Sequence, residues 1–131
     1  MGPLLLFAED DHEDWMLISE MFSEHESPNQ LERVVDGSSL LDRLRKGALP
    51  DMIFLDLKMP KMSGHDVLHA IRSNHSWRHI PVVIMTSSLL EADVYKSYYG
   101  GANSYVPKPV TEDALKVLWR FWGSIVRIPK V

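Results

Sequence analysis

The chain contains five short apolar runs separated by residues with helical spacing, and this alternation constrains its fold more than any other feature. The runs are predicted strands at Leu4–Ala8, Leu31–Val35, Met52–Leu55, Val82–Met85 and Ser104–Val106. Most of them are continuously apolar, which is typical of strands buried on both faces of a sheet. Alternating strands and helices of this length indicate parallel strands joined by right-handed crossovers. We therefore expect an α/β fold with a doubly wound, five-stranded parallel sheet and helices on both faces.

The predicted helices each carry apolar residues on one face. In the first helix, Trp15, Ile18 and Phe22 recur at i, i+3 and i+7, the spacing of a helical face that packs on a core. The last helix is expected to begin at Thr111, because threonine is a common helix N-cap.

Length and composition exclude several classes of protein. The 131 residues fit a single domain, 1–131, and we expect no attached output domain. The chain has no cysteine, which excludes disulfides and thiolate metal sites and is typical of the reducing cytoplasm, so we expect a cytoplasmic protein. Eighteen acidic residues against fourteen basic ones, with no basic stripe, argue against a nucleic-acid partner. The early apolar run, Pro3–Ala8, is too short to span a membrane.

Polar and charged residues follow the predicted strands, and ligands of such sheets bind beyond the carboxyl ends of the strands. The residues concerned are Glu9, Asp10, Asp11, Asp56, Thr86, Ser87, Ser88 and Lys108. Carboxylates about 6 Å apart repel by roughly 3 kcal/mol per pair at an effective dielectric of about 20, so a cation is needed to neutralise them. Oxygen ligands without histidine or cysteine favour Mg²⁺ over zinc.

A purely structural explanation accounts for part of this acidic cluster. Asp11 is a suitable helix N-cap, and Glu13 and Asp14 in the first turn complement the helix dipole. This explanation does not extend to Asp56, which closes an apolar strand on a different part of the chain. We therefore interpret Asp56 as a candidate functional residue.

Four segments carry a more specific pattern: Leu4–Asp11, Asp51–Gly64, Pro81–Ser87 and Gly101–Pro109. In this order they resemble the response-regulator receiver domain of two-component signalling, and the resemblance covers essentially the whole chain. The opening acids and the segment from Gly101 to Val110 look most like stand-alone receivers that include partners of bacterial phytochrome kinases. The resemblance implies the flavodoxin-like receiver fold, with strand order 2-1-3-4-5.

The resemblance also assigns roles in phosphoryl transfer. Asp56 would be the phosphoacceptor, and an ionised aspartate is already a nucleophile that needs no general base. Glu9 and Asp10 would hold Mg²⁺ together with Asp56 and the backbone carbonyl of Lys58. Lys108 would offset the charge of the phosphoryl oxygens.

Further residues of the resemblance concern switching. Thr86 would donate its hydroxyl to a phosphoryl oxygen, and Tyr105 would be the aromatic residue that swings inward when Thr86 moves. The alternatives from the residues alone are a helix cap for Thr86 and a half-buried strand tyrosine for Tyr105. The Lys108–Pro109 bond would be cis, which directs the amine inward. The signal would be a population shift in the face built by helix 4, strand 5 and helix 5.

The function implied is a phosphorylation-controlled signalling module that catalyses only its own phosphorylation and dephosphorylation. Its partners would be a histidine kinase or phosphotransfer protein and a downstream protein target. One alternative is an aspartyl-phosphate hydrolase with an external substrate, although Lys58 stands where a general acid is usually found. An FMN carrier is a second alternative, although the acids of the first loop would repel its phosphate. A degenerate receiver that works without phosphate is a third, disfavoured because the expected site residues are all present.

The predicted last helix is apolar over most of its circumference. One cluster is expected to pack on the sheet: Leu115, Leu118, Trp119, Trp122 and Val126. A second cluster points elsewhere: Ala114, Val117, Phe121 and Ile128. This pattern predicts a covered surface, either a homodimer through helix 4, strand 5 and helix 5 or a docking site. The alternatives are a wider core contact or scattered exposed residues.

Overall fold

All five strands pair in parallel, as buried apolar runs separated by helices require. A computed structural model describes residues 3–24, 29–87, 90–114 and 116–117. Its elements are β1 Leu4–Ala8, α1 His12–Glu24, β2 Gln30–Val34, α2 Gly37–Leu44, β3 Met52–Leu55, α3 Gly64–Ser73, β4 Val82–Thr86, α4 Glu91–Tyr99 and β5 Ser104–Pro107. The sheet order is β2-β1-β3-β4-β5, which confirms the predicted fold.

Successive side chains of the central strands enter two separate cores on opposite faces of the sheet. Leu6 of β1 belongs to the core that α2 and α3 cover. Its neighbour Phe7 belongs to the core that α1 covers. There the Phe7 ring stacks on Phe54 of β3 at 4.5 Å and meets Trp15 and Phe22 of α1 edge to face at 5.3 and 5.9 Å. The helical face predicted for α1 is therefore confirmed.

The prediction for β2 was wrong by one residue. The strand runs over Gln30–Val34 rather than Leu31–Val35, because its register with β1 pairs Ala8 with Val34. Val35 follows the strand and is 50% exposed. β2 is an edge strand and is only partly buried, so its apolar residues do not locate its first and last residues well.

The structure describes the first residues of the last helix, which carry part of the covered surface predicted from the sequence. Thr111 is its N-cap as predicted, since the Thr111 hydroxyl accepts a hydrogen bond of 3.1 Å from the amide of Ala114. The outward placement of Ala114 was wrong, because this side chain packs against the core beneath α1. Val117 is 47% exposed. The other residues of the two predicted clusters lie outside the described residues: Leu115, Leu118, Trp119, Phe121, Trp122, Val126 and Ile128.

Within the described ranges, none of the helices combines the length and the apolar character of a membrane-crossing segment.

The first turn of α3 lies directly against the backbone that follows β3. The amide of Gly64 donates a 3.0 Å hydrogen bond to the carbonyl of Leu57. A Cβ atom at Gly64 would lie 2.5 Å from the Asp56 carbonyl oxygen and 2.6 Å from Cα of Leu57. Only glycine fits this contact, which fixes the position of the chain at Asp56.

We predict that Gly64→Ala destabilises the protein, because the added methyl group must displace backbone and not a flexible side chain. The expected loss is about 1–3 kcal/mol in the free energy of unfolding, the usual cost of overpacking, measured by urea denaturation. Ala70→Gly in the same helix is a comparison variant, with an expected loss of about 1 kcal/mol from helix propensity together with a small loss of its partial contact with the core. A Gly64→Ala variant as stable as the wild type would contradict the close backbone contact.

Candidate functional site

Parallel pairing brings the acids of β1 and β3 to the same edge of the sheet. Ala8 and Leu55 are paired at the carboxyl ends of these neighbouring strands. The amide of Asp56 donates to the Ala8 carbonyl at 3.2 Å, so the ladder extends to the first residue of the loop. Glu9 and Asp56 therefore leave adjacent strands side by side.

Glu9, Asp10 and Asp56 form a group of carboxylates that could hold a metal ion. One oxygen from each lies within 4.8 Å of the others. Glu9 and Asp56 are buried, at 0% and 6% exposure, whereas Asp10 is exposed. An all-carboxylate donor set with one solvent-facing member suits a hard divalent cation that retains water, as Mg²⁺ does.

Lys108 extends from the end of β5 into this acidic group. Its Nζ donates to Oδ2 of Asp56 at 2.8 Å and to Oδ2 of Asp14 at 2.9 Å, and it also contacts Oε1 of Glu9. The Lys108 amide donates to the Thr86 carbonyl at 2.8 Å, and the Lys108–Pro109 peptide bond is cis. The ammonium group therefore has three carboxylates around it, two of which accept hydrogen bonds.

Two groups of the site, Lys108 and Glu9, have pKa values shifted from their ordinary ones. Burial lowers the pKa of Lys108, but its hydrogen bonds to Asp56, Glu9 and Asp14 outweigh this effect and hold the pKa above its ordinary value. Lys108 is therefore a stable cation. Burial raises the pKa of Glu9, and the hydrogen bond from Lys108 opposes that rise.

Sequence reasoning missed one member of this group, Asp14. Asp11 caps α1 as expected, since its Oδ1 accepts from the Asp14 amide at 2.9 Å. The Asp14 side chain, however, contacts Lys108. The available signal was periodicity, because Asp14 lies one turn before the buried Ile18 and therefore on the inward face of the helix.

A second missed residue, Arg33 of β2, supports the acidic loop from its other side. Its Nε donates a 2.9 Å hydrogen bond to the carbonyl of Glu9. Its guanidinium lies over the ring of Trp15, 5.9 Å from the centroid. Arg33 thus ties the loop after β1 to the neighbouring strand, a contact between residues too far apart in sequence for local patterns to reveal.

The remaining sequence-predicted residues lie around this centre. Thr86 is fully buried at the end of β4, where it pairs with Pro107 of β5. The amide of Lys58 donates to Oδ1 of Asp56 at 3.1 Å, while the Lys58 side chain is exposed. Tyr105 is partly buried and packs against the core beneath α2 and α3.

Comparisons with known proteins find similarity to one family. A family model described as the response regulator receiver domain matches residues 5–120. Probable methanogenesis regulatory protein FilR2 of Methanothrix harundinacea is 37% identical over 132 residues, covering 92% of this chain and 85% of that protein. Response regulator Rcp1 of Synechocystis sp. is 31% identical over 136 residues, covering 96% of this chain and 92% of Rcp1.

Two solved structures are similar over nearly their full length. The Mn²⁺-bound form of Rcp1 matches with a TM-score of 0.83 and 31% identity, covering 98% of this chain and 99% of that one. The phosphorylated cyanobacterial phytochrome response regulator RcpA matches with a TM-score of 0.82 and 28% identity, covering 94% and 93%.

We predict that Mg²⁺ stabilises the wild type and stabilises Asp10→Asn much less. A ligand that binds only the folded state adds about 2.7 kcal/mol to the free energy of unfolding at 100 times its Kd. Asp10→Asn removes one carboxylate of the group, so the gain between EDTA and Mg²⁺ in urea denaturation should fall. In EDTA the variant should be at least as stable as the wild type, because repulsion between the acids is reduced.

The control for this experiment is Glu20→Gln, an exposed acid of α1 outside the carboxylate group. It should keep the wild-type gain from Mg²⁺. An Asp10→Asn variant with the full wild-type gain would show that Asp10 is not a ligand.

Proposed function

This chain belongs to the family of response regulator receiver domains, and we propose that Asp56 is the residue on which it accepts a phosphoryl group from a phosphohistidine. The chain is a phosphorylation-controlled signalling module. The observation that carries the assignment is the convergence of Lys108 and the acids of β1 on the Asp56 carboxylate at the edge of the sheet.

The surroundings of Asp56 suit a nucleophilic carboxylate. Oδ2 accepts a hydrogen bond from the Lys108 ammonium and Oδ1 accepts one from the Lys58 amide, so protein donors hold both carboxylate oxygens in place. In the transfer, an Asp56 oxygen forms a bond to phosphorus while the phosphorus–nitrogen bond of the phosphohistidine breaks. The electron pair of that bond returns to the imidazole nitrogen, and no general base is needed.

Glu9, Asp10 and Asp56 are the residues that we propose to hold Mg²⁺, with the backbone carbonyl of Lys58 as a further ligand. The similarity to Rcp1, which is known in a Mn²⁺-bound form, supports a divalent ion at this position. When bound, the ion offsets negative charge on the phosphoryl oxygens. Lys108 supplies a second positive charge, already held in place by its carboxylate partners.

The switch that we propose runs from Thr86 to the face of α4 and β5. Thr86 donates its hydroxyl to a phosphoryl oxygen, and Tyr105 responds. Tyr105 lies on β5 two residues before Pro107, which is the strand partner of Thr86. The described part of α4 exposes three tyrosines, Tyr95, Tyr98 and Tyr99, which suit a protein partner. A homodimer through this face would include Val117.

The partners that we propose are a histidine kinase or phosphotransfer protein as donor and a downstream protein as target. The chemistry supports a protein whose catalysis is limited to its own phosphorylation and dephosphorylation. Lys58, not a second acid, stands two residues after Asp56, so the site lacks the general acid that turnover of external substrates usually needs. A cytoplasmic location is part of the same proposal, since a kinase must reach Asp56.

We predict that a small acyl phosphate donor with Mg²⁺ adds one phosphoryl group to the wild type and none to Asp56→Asn. The amide that replaces the carboxylate lacks a nucleophilic oxygen, and intact-mass spectrometry measures the product directly. Hydroxylamine should remove the group, because it cleaves acyl phosphates.

Asp42→Asn is the matched control, since Asp42 is an exposed aspartate of α2 that is not part of the carboxylate group. This variant should be labelled like the wild type. Equal labelling of Asp56→Asn would refute the assignment.

A further inference from the structure

Asp14 is a carboxylate in the site to which the proposed function assigns no task. Its Oδ2 lies 2.9 Å from Nζ of Lys108. Its oxygens are not part of the carboxylate group of Glu9, Asp10 and Asp56 that could hold a metal ion. The side chain is 33% exposed, whereas that of Lys108 is 9% exposed, so Asp14 approaches the ammonium from the solvent side.

The other two partners of Lys108 change during the proposed reaction. Asp56 loses a carboxylate charge when it becomes an acyl phosphate, and Glu9 is a proposed ligand of the cation. Asp14 alone among the three is neither phosphorylated nor a ligand. It is therefore the partner that can keep the same hydrogen bond to Lys108 before and after transfer.

We propose that Asp14 is a positioning residue for phosphoryl transfer, which anchors the Lys108 ammonium so that its remaining donors face the phosphoryl oxygens. This inference rests on the proposed function of Asp56 and Lys108. The transfer depends on positioning and charge stabilisation, and a misplaced charge costs rate even when the charge itself is retained.

The backbone of Asp14 is well placed for this role. Its amide is held by the capping carboxylate of Asp11, and Ile18, one turn later, is buried in the core beneath α1. The carboxylate is therefore presented from a fixed helical turn. Lys108 follows β5, so the contact joins two elements that are distant in sequence.

A purely structural role for the ion pair between Asp14 and Lys108 would have a different experimental consequence. Asp14 is partly exposed, and ion pairs with an exposed member contribute little to folding stability. An anchoring role would instead appear in the rate of phosphorylation, and only while Lys108 is present. The free energy of unfolding and the rate of phosphorylation therefore distinguish a structural ion pair from an anchoring role.

The test compares labelling rates from acetyl phosphate at saturating Mg²⁺ for the wild type, Asp14→Ala and Asp14→Asn. We expect Asp14→Ala to slow labelling about tenfold, the usual scale for losing a residue that orients a reacting group. Asp14→Asn should fall between the two, because its amide oxygen can still accept the hydrogen bond. Glu13→Gln, an exposed acid in the same turn, should label at the wild-type rate.

Two further readouts tie the effect to Lys108. In a Lys108→Met background, Asp14→Ala should cause no additional loss, since coupled residues are not additive. The ¹⁵N NMR signal of the Lys108 ammonium should show protected N–H groups in the wild type and faster exchange in Asp14→Ala. Urea denaturation confirms that the variants are folded.

Equal labelling rates for Asp14→Ala and the wild type would overturn the anchoring role and leave the assignment of Asp56 intact. An equal slowing in the Lys108→Met background would also overturn it, because the effect would not pass through Lys108. A wild type that takes no phosphoryl group would overturn both proposals.

Discussion

The site depends on one ammonium group placed among carboxylates that burial would otherwise make unfavourable. Glu9 and Asp56 are withdrawn from solvent at the ends of adjacent strands, where the sheet itself holds them together. The positive charge of Lys108 compensates the negative charges of Glu9 and Asp56. These carboxylates in turn offset the cost of burying the ammonium group. More acid is present than one ammonium can neutralise, so the same arrangement that folds stably also retains an attraction for a divalent ion.

The fold is organised around this edge. The two cores keep β1, β3 and β4 rigid because their side chains are buried on both faces. The loops that carry the chemistry are anchored by backbone contacts close to the strands: Glu9 through Arg33 and the Val34 carbonyl, and Asp56 through the Ala8 carbonyl and Gly64. Reactive groups on short, well-fixed loops need little further ordering before they act together.

Apolar patterns and the receiver resemblance predicted the architecture, and most of the residues singled out in the sequence lie together at one edge of the sheet. Continuous apolar runs identified the buried strands, and the parallel topology brought Glu9, Asp56 and Lys108 to one edge. The failures have physical causes. The predicted range of the edge strand β2 was displaced by one residue, because a partly buried strand has a weak apolar pattern. Asp14 was missed because an acid in the first helical turn already has a sufficient local explanation, while its partner lies 94 residues away.

The close packing of Gly64 on the Asp56–Leu57 backbone makes one wall of the site unyielding. We expect a phosphoryl group on Asp56 to leave this wall in place, because Gly64 already lies against backbone atoms of Asp56 and Leu57. A single missing methyl group thus makes the start of α3 a fixed support for the backbone that presents the Asp56 side chain.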